Sequence, residues 1–361
     1  MSTHAHNTLE THLERLTDPV LEIDIVSAGL VDELEIDDDD EIATIRLGFN
    51  APYSPHETAM GEAVHDVVRD AGYEPNLEVL PPAGQPSLPD VRNVIAVASG
   101  KGGVGKTTVA ANLVDGLRQM GAKVGLVDGD IHGPNVPELF DLDEEPRVTD
   151  DRRFEPGTSN GLKLMSLGHI IPRQDDPAAL RGPMVEQFLL ELFEGVEWGQ
   201  LDYLVVDLPP GTGDATFALL QNVAVTGAVI VTTPHETSVT DARKGLQMFR
   251  EHGAPVLGIV ENMSTFACPN CNDTHDLFGS GGGEESAEKH NVPLLAKVPF
   301  DPEMSPGGSV EDLPVRSSET ATGREFRKLA PTVADLVGEV NRRLVAEGRT
   351  LEPSPVEGRC S

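Results

Sequence analysis

The chain has 361 residues, with 60 acidic against 27 basic side chains, a formal net charge of −33, and 39% apolar residues. That charge repels phosphate backbones and argues against nucleic-acid binding through a basic surface, while apolar residues gathered in strand-length runs argue against an acidic disordered protein. An acid excess of this size suits a surface kept hydrated in concentrated salt, where repulsion between carboxylates is screened.

The chain starts MSTHAHNTLETHLERL, without the apolar core of a signal peptide, and no run approaches membrane-spanning length. Three cysteines do not make a disulfide framework, so a reducing, cytoplasmic setting with no membrane is expected. Residues 1–80 are expected to form a small α+β domain. LTDPVLEIDIVSAGLVDELEIDDDDEIATIRLGFN alternates into two strands across the acidic turn Asp37–Asp40, and PHETAMGEAVHDVVRDAG has helical spacing through Met60, Val64, Val67 and Val68. Residues 81–90, PPAGQPSLPD, carry four prolines and read as an interdomain linker.

From residue 91 the pattern changes. NVIAVAS, KVGLVDGD, LKLMSLG, YLVVDLPP, GAVIVTTP, PVLGIVEN and LLAKVPF are near-continuous apolar runs separated by helical segments. Strands apolar on both faces belong in a mainly parallel sheet with helices on both faces, the α/β class. Ligands gather beyond the carboxyl ends of such strands. This domain is expected over residues 91–345, ending in a helix near TVADLVGEVNRRLVAE, with residues 346–361 a disordered tail.

The run VIAVASGKGGVGKTT, residues 94–108, completes G-x-x-x-x-G-K-[ST] with Gly100, Gly105, Lys106 and Thr107. It follows an expected strand and opens an expected helix, the context a phosphate loop needs. The candidate nucleotide-binding residues are Gly100, Lys101, Gly102, Gly103, Val104, Gly105, Lys106, Thr107 and Thr108. Lys106 is placed to reach the β and γ phosphates of ATP and the Thr107 hydroxyl to ligate Mg²⁺. Asp207, closing YLVVD, is placed to hold the magnesium, with LPPGTGD behind it suited to sensing the γ-phosphate. Asp128 and Asp130 of VDGDIHGP are the remaining acids: one can orient the attacking water and the other support the metal, and the spacing does not divide the two roles. Asn262, ending GIVEN, carries an amide able to pair with an adenine edge.

Cys268 and Cys271, spaced C-P-N-C, can point two sulfurs at one metal, fewer than a tetrahedral site or a cubane cluster needs. Cys360 lies on the far tail, and His275, His132 and His235 read as polar loop residues. A two-fold dimer would supply four thiolates; a redox dithiol and half of a zinc site are the competing readings.

The phosphate-loop sequence KGGVGKTT resembles the deviant Walker A motif of the group that contains the septum-site ATPase MinD, the plasmid-partition ATPases and the nitrogenase iron protein. DGDIHGPNVP, DLPPGTGD, TTPHETSVTDARKGLQMF, GIVENMSTFACPNC and FGSGGG narrow the resemblance, over about residues 92–315, to the Mrp/ApbC iron–sulfur cluster carriers. The resemblance implies that Lys101 is the signature lysine reaching a partner subunit's phosphates, that Asp130 is a switch residue near the attacking water, and that Asn262 contacts adenine. It also implies a [4Fe–4S] cluster bridging two subunits of a homodimer through Cys268 and Cys271, an iron–sulfur donor, and recipient apoproteins. The first domain resembles a small cluster-assembly domain through DPVLEIDIVSAGLVDELEI and NAPYSPHE; that domain often has cysteine where this chain has Ser54, which leaves partner or donor docking as its expected role. Two rival readings are a partitioning or positioning ATPase without a cluster, which needs a basic face or basic amphipathic helix, and an electron-transfer ATPase like the nitrogenase iron protein, whose cysteines lie far apart in sequence.

Overall fold

The computed structural model describes residues 2–80, 85, 87–130, 136–170, 182–268, 271, 273–302, 310–317 and 319–354. Two compact units divide the chain, the first made of residues up to 83 together with 334–351, the second of 84–333 and the residues from 352 on.

In the first unit, α1 (Ser2–Leu13) precedes β1 (Val31–Asp37), β2 (Ile42–Leu47), α2 (Pro55–Asp70) and β3 (Glu74–Val79). β1 pairs antiparallel with β2 across the expected acidic turn, and β2 pairs parallel with β3. The start of α2 follows from local chemistry: Ser54 is the N-cap, its Oγ accepting the Glu57 N–H at 3.2 Å, and Pro55 occupies the first helical position, where no N–H is needed. Met60, Val64 and Val68 then fall on one face and are buried with Leu9, Leu13, Ile45 and Leu47.

The second unit begins with β4 (Val91–Ser99), α3 (Lys106–Gln119), β5 (Val124–Asp128) and α4 (Val136–Leu139). Short strands β6 (Arg147–Val148), β7 (Phe154–Glu155) and β8 (Gly157–Ser159) lead to β9 (Leu162–Ser166), α5 (Leu167–Ile170) and α6 (Gly182–Glu194). There follow β10 (Leu201–Asp207), α7 (Asp214–Asn222), β11 (Gly227–Thr232), α8 (Glu236–Glu251), β12 (Val256–Ala267), β13 (Thr274–His275), α9 (Gly282–His290) and β14 (Leu294–Phe300). α10 (Ala321–Ala346) starts in this unit and runs into residues that belong to the first.

The sheet order is β13-β12-β11-β4-β10-β5-β9-β8, with β14 also on β12. Every pairing from β14 through β12, β11, β4, β10 and β5 to β9 is parallel; β8 and β13 add antiparallel edges. The α/β class and mainly parallel sheet expected from the apolar runs are therefore what the chain adopts. Along β4 the side chains alternate between layers: Val94, Ala96 and Ala98 pack in one cluster with Leu189 of α6, Leu219 of α7, and Leu246 and Phe249 of α8. The buried residues of α3 lie outside that cluster, and α3 packs so closely on α10 that a Cβ at Gly116 would sit 2.7 Å from Ala330 Cβ. Because β4 sits between β10 and β11 while the next strand, β5, lies beyond β10, the chain opens a crevice at the carboxyl end of β4.

Within the proline-rich segment, Ser87 Oγ donates to Asn222 O at 2.7 Å and Gln85 Nε2 to Ala224 O at 3.2 Å; residues 81–84 and 86 lie outside the described residues. In the stretch read as a tail, Ser354 N–H donates to Leu220 O at 2.8 Å and its hydroxyl meets His252 Nδ1 at 3.0 Å; residues 355–361, with Cys360, lie outside the described residues. Among the described residues no helix is long and apolar enough to cross a membrane.

Candidate functional site

The carboxyl ends of β4, β10 and β5 bring most of the expected acids and the phosphate loop together. β4 delivers the loop directly into α3, and the turn depends on two glycines. Gly105 is the N-cap with φ 82°, and a Cβ there would sit 2.1 Å from Asn262 Nδ2. At Gly100 a Cβ would lie 2.0 Å from the Asp241 carbonyl carbon, so the loop can pass α8 only without a side chain. The loop is tied at its start as well: Gly211 N–H donates to Ser99 O at 2.8 Å, linking it to the segment after Asp207.

Asp207 ends β10 in register with Asp128 at the end of β5. One oxygen of Asp207 takes the Lys106 ammonium, and the other accepts the Thr107 hydroxyl at 2.6 Å. Burial raises the Asp207 pKa above the carboxylate range; Lys106 and Thr107 oppose that rise, and Asp130 adds to it. Asp128 is also buried and is pushed up to about 7, first by desolvation and then by the charge of Asp207. It accepts the Asp130 N–H at 3.1 Å, the Val136 N–H at 3.2 Å and the Ser166 hydroxyl at 3.1 Å. This separates two residues whose roles the spacing leaves open: the Asp128 side chain is enclosed by donors at both ends of the 129–136 connection, while Asp130 is half-buried and near enough to act on Asp207. His132 in that connection lies outside the described residues. With both acids ionised, two buried carboxylates on paired strand ends against one buried ammonium leave an excess of negative charge, which a cation would offset. Hard oxygen donors of this kind suit a divalent magnesium ion, and the glycine turn at a helix N-terminus suits phosphate.

Lys101 is exposed, and its Nζ reaches Thr237 Oγ1 of α8 at 3.4 Å. His235 caps that helix, its Nδ1 accepting the Thr237 N–H at 3.3 Å, which fits the reading of this histidine as a polar loop residue. Asn262 is 3% exposed, and its amide donates to Val104 O at 2.9 Å, so β12 braces the loop from two strands away. Its neighbour Glu261 accepts the Gly283 N–H at 2.6 Å, and Gly282 packs on Pro234 O; the glycine-rich run FGSGGG is therefore a close-packing device beside α8. Thr237, Ser166 and Glu261 are not singled out by the sequence. Their only signal is that they sit at strand ends or helix starts, which many residues do.

The cysteines lie at the tip of a hairpin at the far end of β12. Phe266 pairs with His275 and Ala267 with Thr274; Cys268 N–H donates to Asp273 O at 2.9 Å, and Cys271 Sγ lies 3.3 Å from Asp273 Oδ2. Neither cysteine is in a disulfide; Cys268 is half-buried and Cys271 exposed. Pro269 and Asn270 lie outside the described residues. His275 is on the exposed return strand, stacked against Phe266. Among the described residues no group of three or more His, Cys, Asp or Glu side chains is gathered to hold a metal ion.

A family profile described as ParA, "NUBPL iron-transfer P-loop NTPase", matches residues 90–334. The chain belongs to that family. Its similarity to individual relatives extends beyond the matched region. It is 40% identical over 343 residues to a protein named iron–sulfur cluster carrier protein from Synechocystis sp., covering 91% of this chain and 96% of the relative. To a protein of the same name from Deinococcus radiodurans it is 38% identical over 344 residues, 93% and 95% of the two chains. Among solved structures it resembles a nucleotide-binding protein from Archaeoglobus fulgidus in complex with ADP, with 39% identity, a TM-score of 0.52, and coverage of 59% of this chain and 84% of that one.

In the first unit, Ser54 is buried and committed to capping α2. Glu57, one turn on, accepts the Ala51 N–H at 2.9 Å and the Asn50 N–H at 3.3 Å, and both it and Asp18 pair with the buried Arg342 guanidinium, at 3.3 and 3.0 Å. The Ser54 hydroxyl thus organises a helix start.

Proposed function

We propose that this chain is an ATP-binding, ATP-hydrolysing carrier that takes up an iron–sulfur cluster and passes it to apoproteins in the cytoplasm. The observation that carries the reading is the presence in one sheet of a phosphate loop at the end of β4 and a paired-thiol hairpin at the end of β12, in a chain whose relatives are named for cluster carriage.

At the nucleotide end, Lys106 exchanges Asp207 for the β and γ phosphates, and the loop N–H groups from Gly100 to Thr108 hold the phosphate oxygens. Thr107 and Asp207 hold magnesium, whose chemistry is to neutralise charge on the transferred phosphoryl group. Asp128 shapes the 129–136 connection and supports the metal, and Asp130 orients the attacking water. Asn262 spends one of its two donor hydrogens on Val104 and keeps the other, with its carbonyl oxygen, for an adenine edge. Lys101, exposed on the loop, acts in trans on the partner subunit's nucleotide, so that turnover depends on docking.

At the thiol end, two sulfurs per chain are half of what a [4Fe–4S] cargo requires, and a homodimer with its axis at the hairpin completes the set. An exposed, shared site releases its cargo more readily than an enclosed one. The first unit, with no thiol at Ser54, docks a donor or recipient. The net charge of −33 weighs against a partitioning or positioning ATPase, which needs a basic face or a basic amphipathic helix.

The test is anaerobic purification and reconstitution with iron and sulfide. About four irons and four sulfides per dimer are expected for the unaltered chain, and their loss in Cys268→Ala; equal content in both proteins would remove the proposal.

A further inference from the structure

The strand that carries the cysteines also grips the nucleotide loop. Asn262 and Cys268 lie on the same run of chain, six residues apart.

Three observations single out the residue between them. Met263 has φ 55°, left-handed backbone inside a strand, where a residue with a Cβ is strained. The register breaks there: Asn262 pairs with Val298 and Phe266 with Phe300, so four steps along β12 are matched by two along β14. Met263 also faces the loop, its Cε lying 3.8 Å from the position a Cβ on Gly105 would take. On one side of this bulge, Asn262 is fastened to Val104. On the other, residues 266–268 form a braced hairpin base, in which Phe266 is stacked on His275 with ring centroids 6.3 Å apart and packed on Phe300 at 6.1 Å, and Cys268 is bonded to Asp273. Two firmly held segments thus meet at one strained, bulged position. Bulges re-aim the chain that follows them.

We propose that Met263 is a positioning residue that transmits occupation of the phosphate loop to the thiol hairpin. Entry of phosphate shifts Val104 and Gly105; Asn262 and the Met263 thioether follow, and the bulge turns that shift into a rotation of residues 264–268 that changes how Cys268 and Cys271 are presented. The proposal rests on the cluster-carrier reading and supplies its regulation: nucleotide state sets how tightly the cargo is held.

The test uses the cluster-free chain and reads thiol reactivity, so it is independent of cluster content and of turnover. Alkylation by iodoacetamide is followed by mass spectrometry at Cys268 and Cys271, with Cys360 as the internal reference, with and without MgADP or a non-hydrolysable MgATP analogue. The expected result is a nucleotide-dependent change of about five-fold or more at Cys268 and Cys271. That change is retained in Met263→Leu, which keeps an unbranched apolar contact, and lost in Met263→Gly, with nucleotide affinity unchanged in both. Alkylation rates indifferent to nucleotide in the unaltered chain, or a Met263→Gly response equal to that of the unaltered chain, overturn the proposal. If Met263→Gly fails to fold, hydrogen exchange over residues 263–268 of the unaltered chain decides: a change on nucleotide binding upholds the coupling, and none refutes it. Loss of the carrier reading shows elsewhere, as failure of anaerobic reconstitution to load a cluster.

Discussion

The ammonium of Lys106 rests on one carboxylate oxygen of Asp207, and both side chains are buried, Lys106 6% exposed and Asp207 0%. Each is the other's partner when the phosphate loop is empty, so removing the acid strands a buried cation. Asp207→Ala is expected to lose about 3–5 kcal/mol of stability without nucleotide, a loss partly restored by ADP because phosphate takes the place of the carboxylate. ATP turnover should fall on the order of 10²-fold or more. Calorimetric melting with and without ADP checks the first part and phosphate release the second; an unchanged nucleotide-free melting temperature would refute the pairing.

Lys101 makes one 3.4 Å contact with Thr237 and is exposed, so its loss should leave the fold and nucleotide affinity unaltered. If it serves the neighbour's phosphates, Lys101→Ala lowers turnover by about 10²-fold or more. Mixing it with an otherwise inactive Asp207→Ala chain should then restore part of the activity, because each subunit lacks a different half of the composite site. Absence of any complementation in mixed dimers, measured across protein concentration, would place Lys101 outside the partner's site.

A separate expectation concerns acid. Asp115 on α3 is buried; desolvation raises its pKa, but hydrogen bonds from Arg316, Arg118 and Gln119 outweigh that and leave it below the usual carboxylate range. A carboxyl whose folded pKa lies below its unfolded value of about 3.9 adds stability in full above that value and loses it as pH falls through the folded pKa. Urea midpoints of the unaltered chain should therefore fall below about pH 4 with a slope that is shallower in Asp115→Asn. Parallel slopes would mean that the arginine cluster does not act through this acid.

For the first unit, Ser54→Ala removes the helix cap and is expected to cost about 1 kcal/mol. Cluster content and ATP turnover should remain those of the unaltered chain, since the hydroxyl is buried against the Glu57 N–H. A fall in cluster content without a fall in stability would instead give Ser54 a direct part in the chemistry.

Elements whose stability is written in contiguous residues are legible from the amino acids alone. β4, β5, β9, β10 and β11 are apolar runs buried along most of their length, β12 opens with such a run and β14 is apolar but for the exposed Lys297, and α2 announces itself through Ser54, Pro55 and the spacing of Met60, Val64 and Val68. α1 is not legible in this way, because among its described side chains STHAHNTLETHL offers Leu9 and Leu13 to the core. β3 escapes notice because EPNLEV carries two glutamates and a proline and forms only against a partner already in place. The phosphate loop can be read because its chemistry is local. The brace from Asn262 to Val104, the Ser166 bond to Asp128 and the left-handed Met263 depend on residues far apart in sequence or on one backbone angle, and neither leaves a residue-type signature.

The dual membership of α10 bears on how the protein is made. Asp18 and Glu57 emerge from the ribosome early, yet their buried cation, Arg342, follows Glu57 by 285 residues, which at ordinary elongation rates is tens of seconds of synthesis. The domain translated first is thus closed only after residues 84–333 of the other have been made, and a chain that ends before Arg342 leaves Asp18 and Glu57 without that cation, a defect that quality-control proteases can recognise.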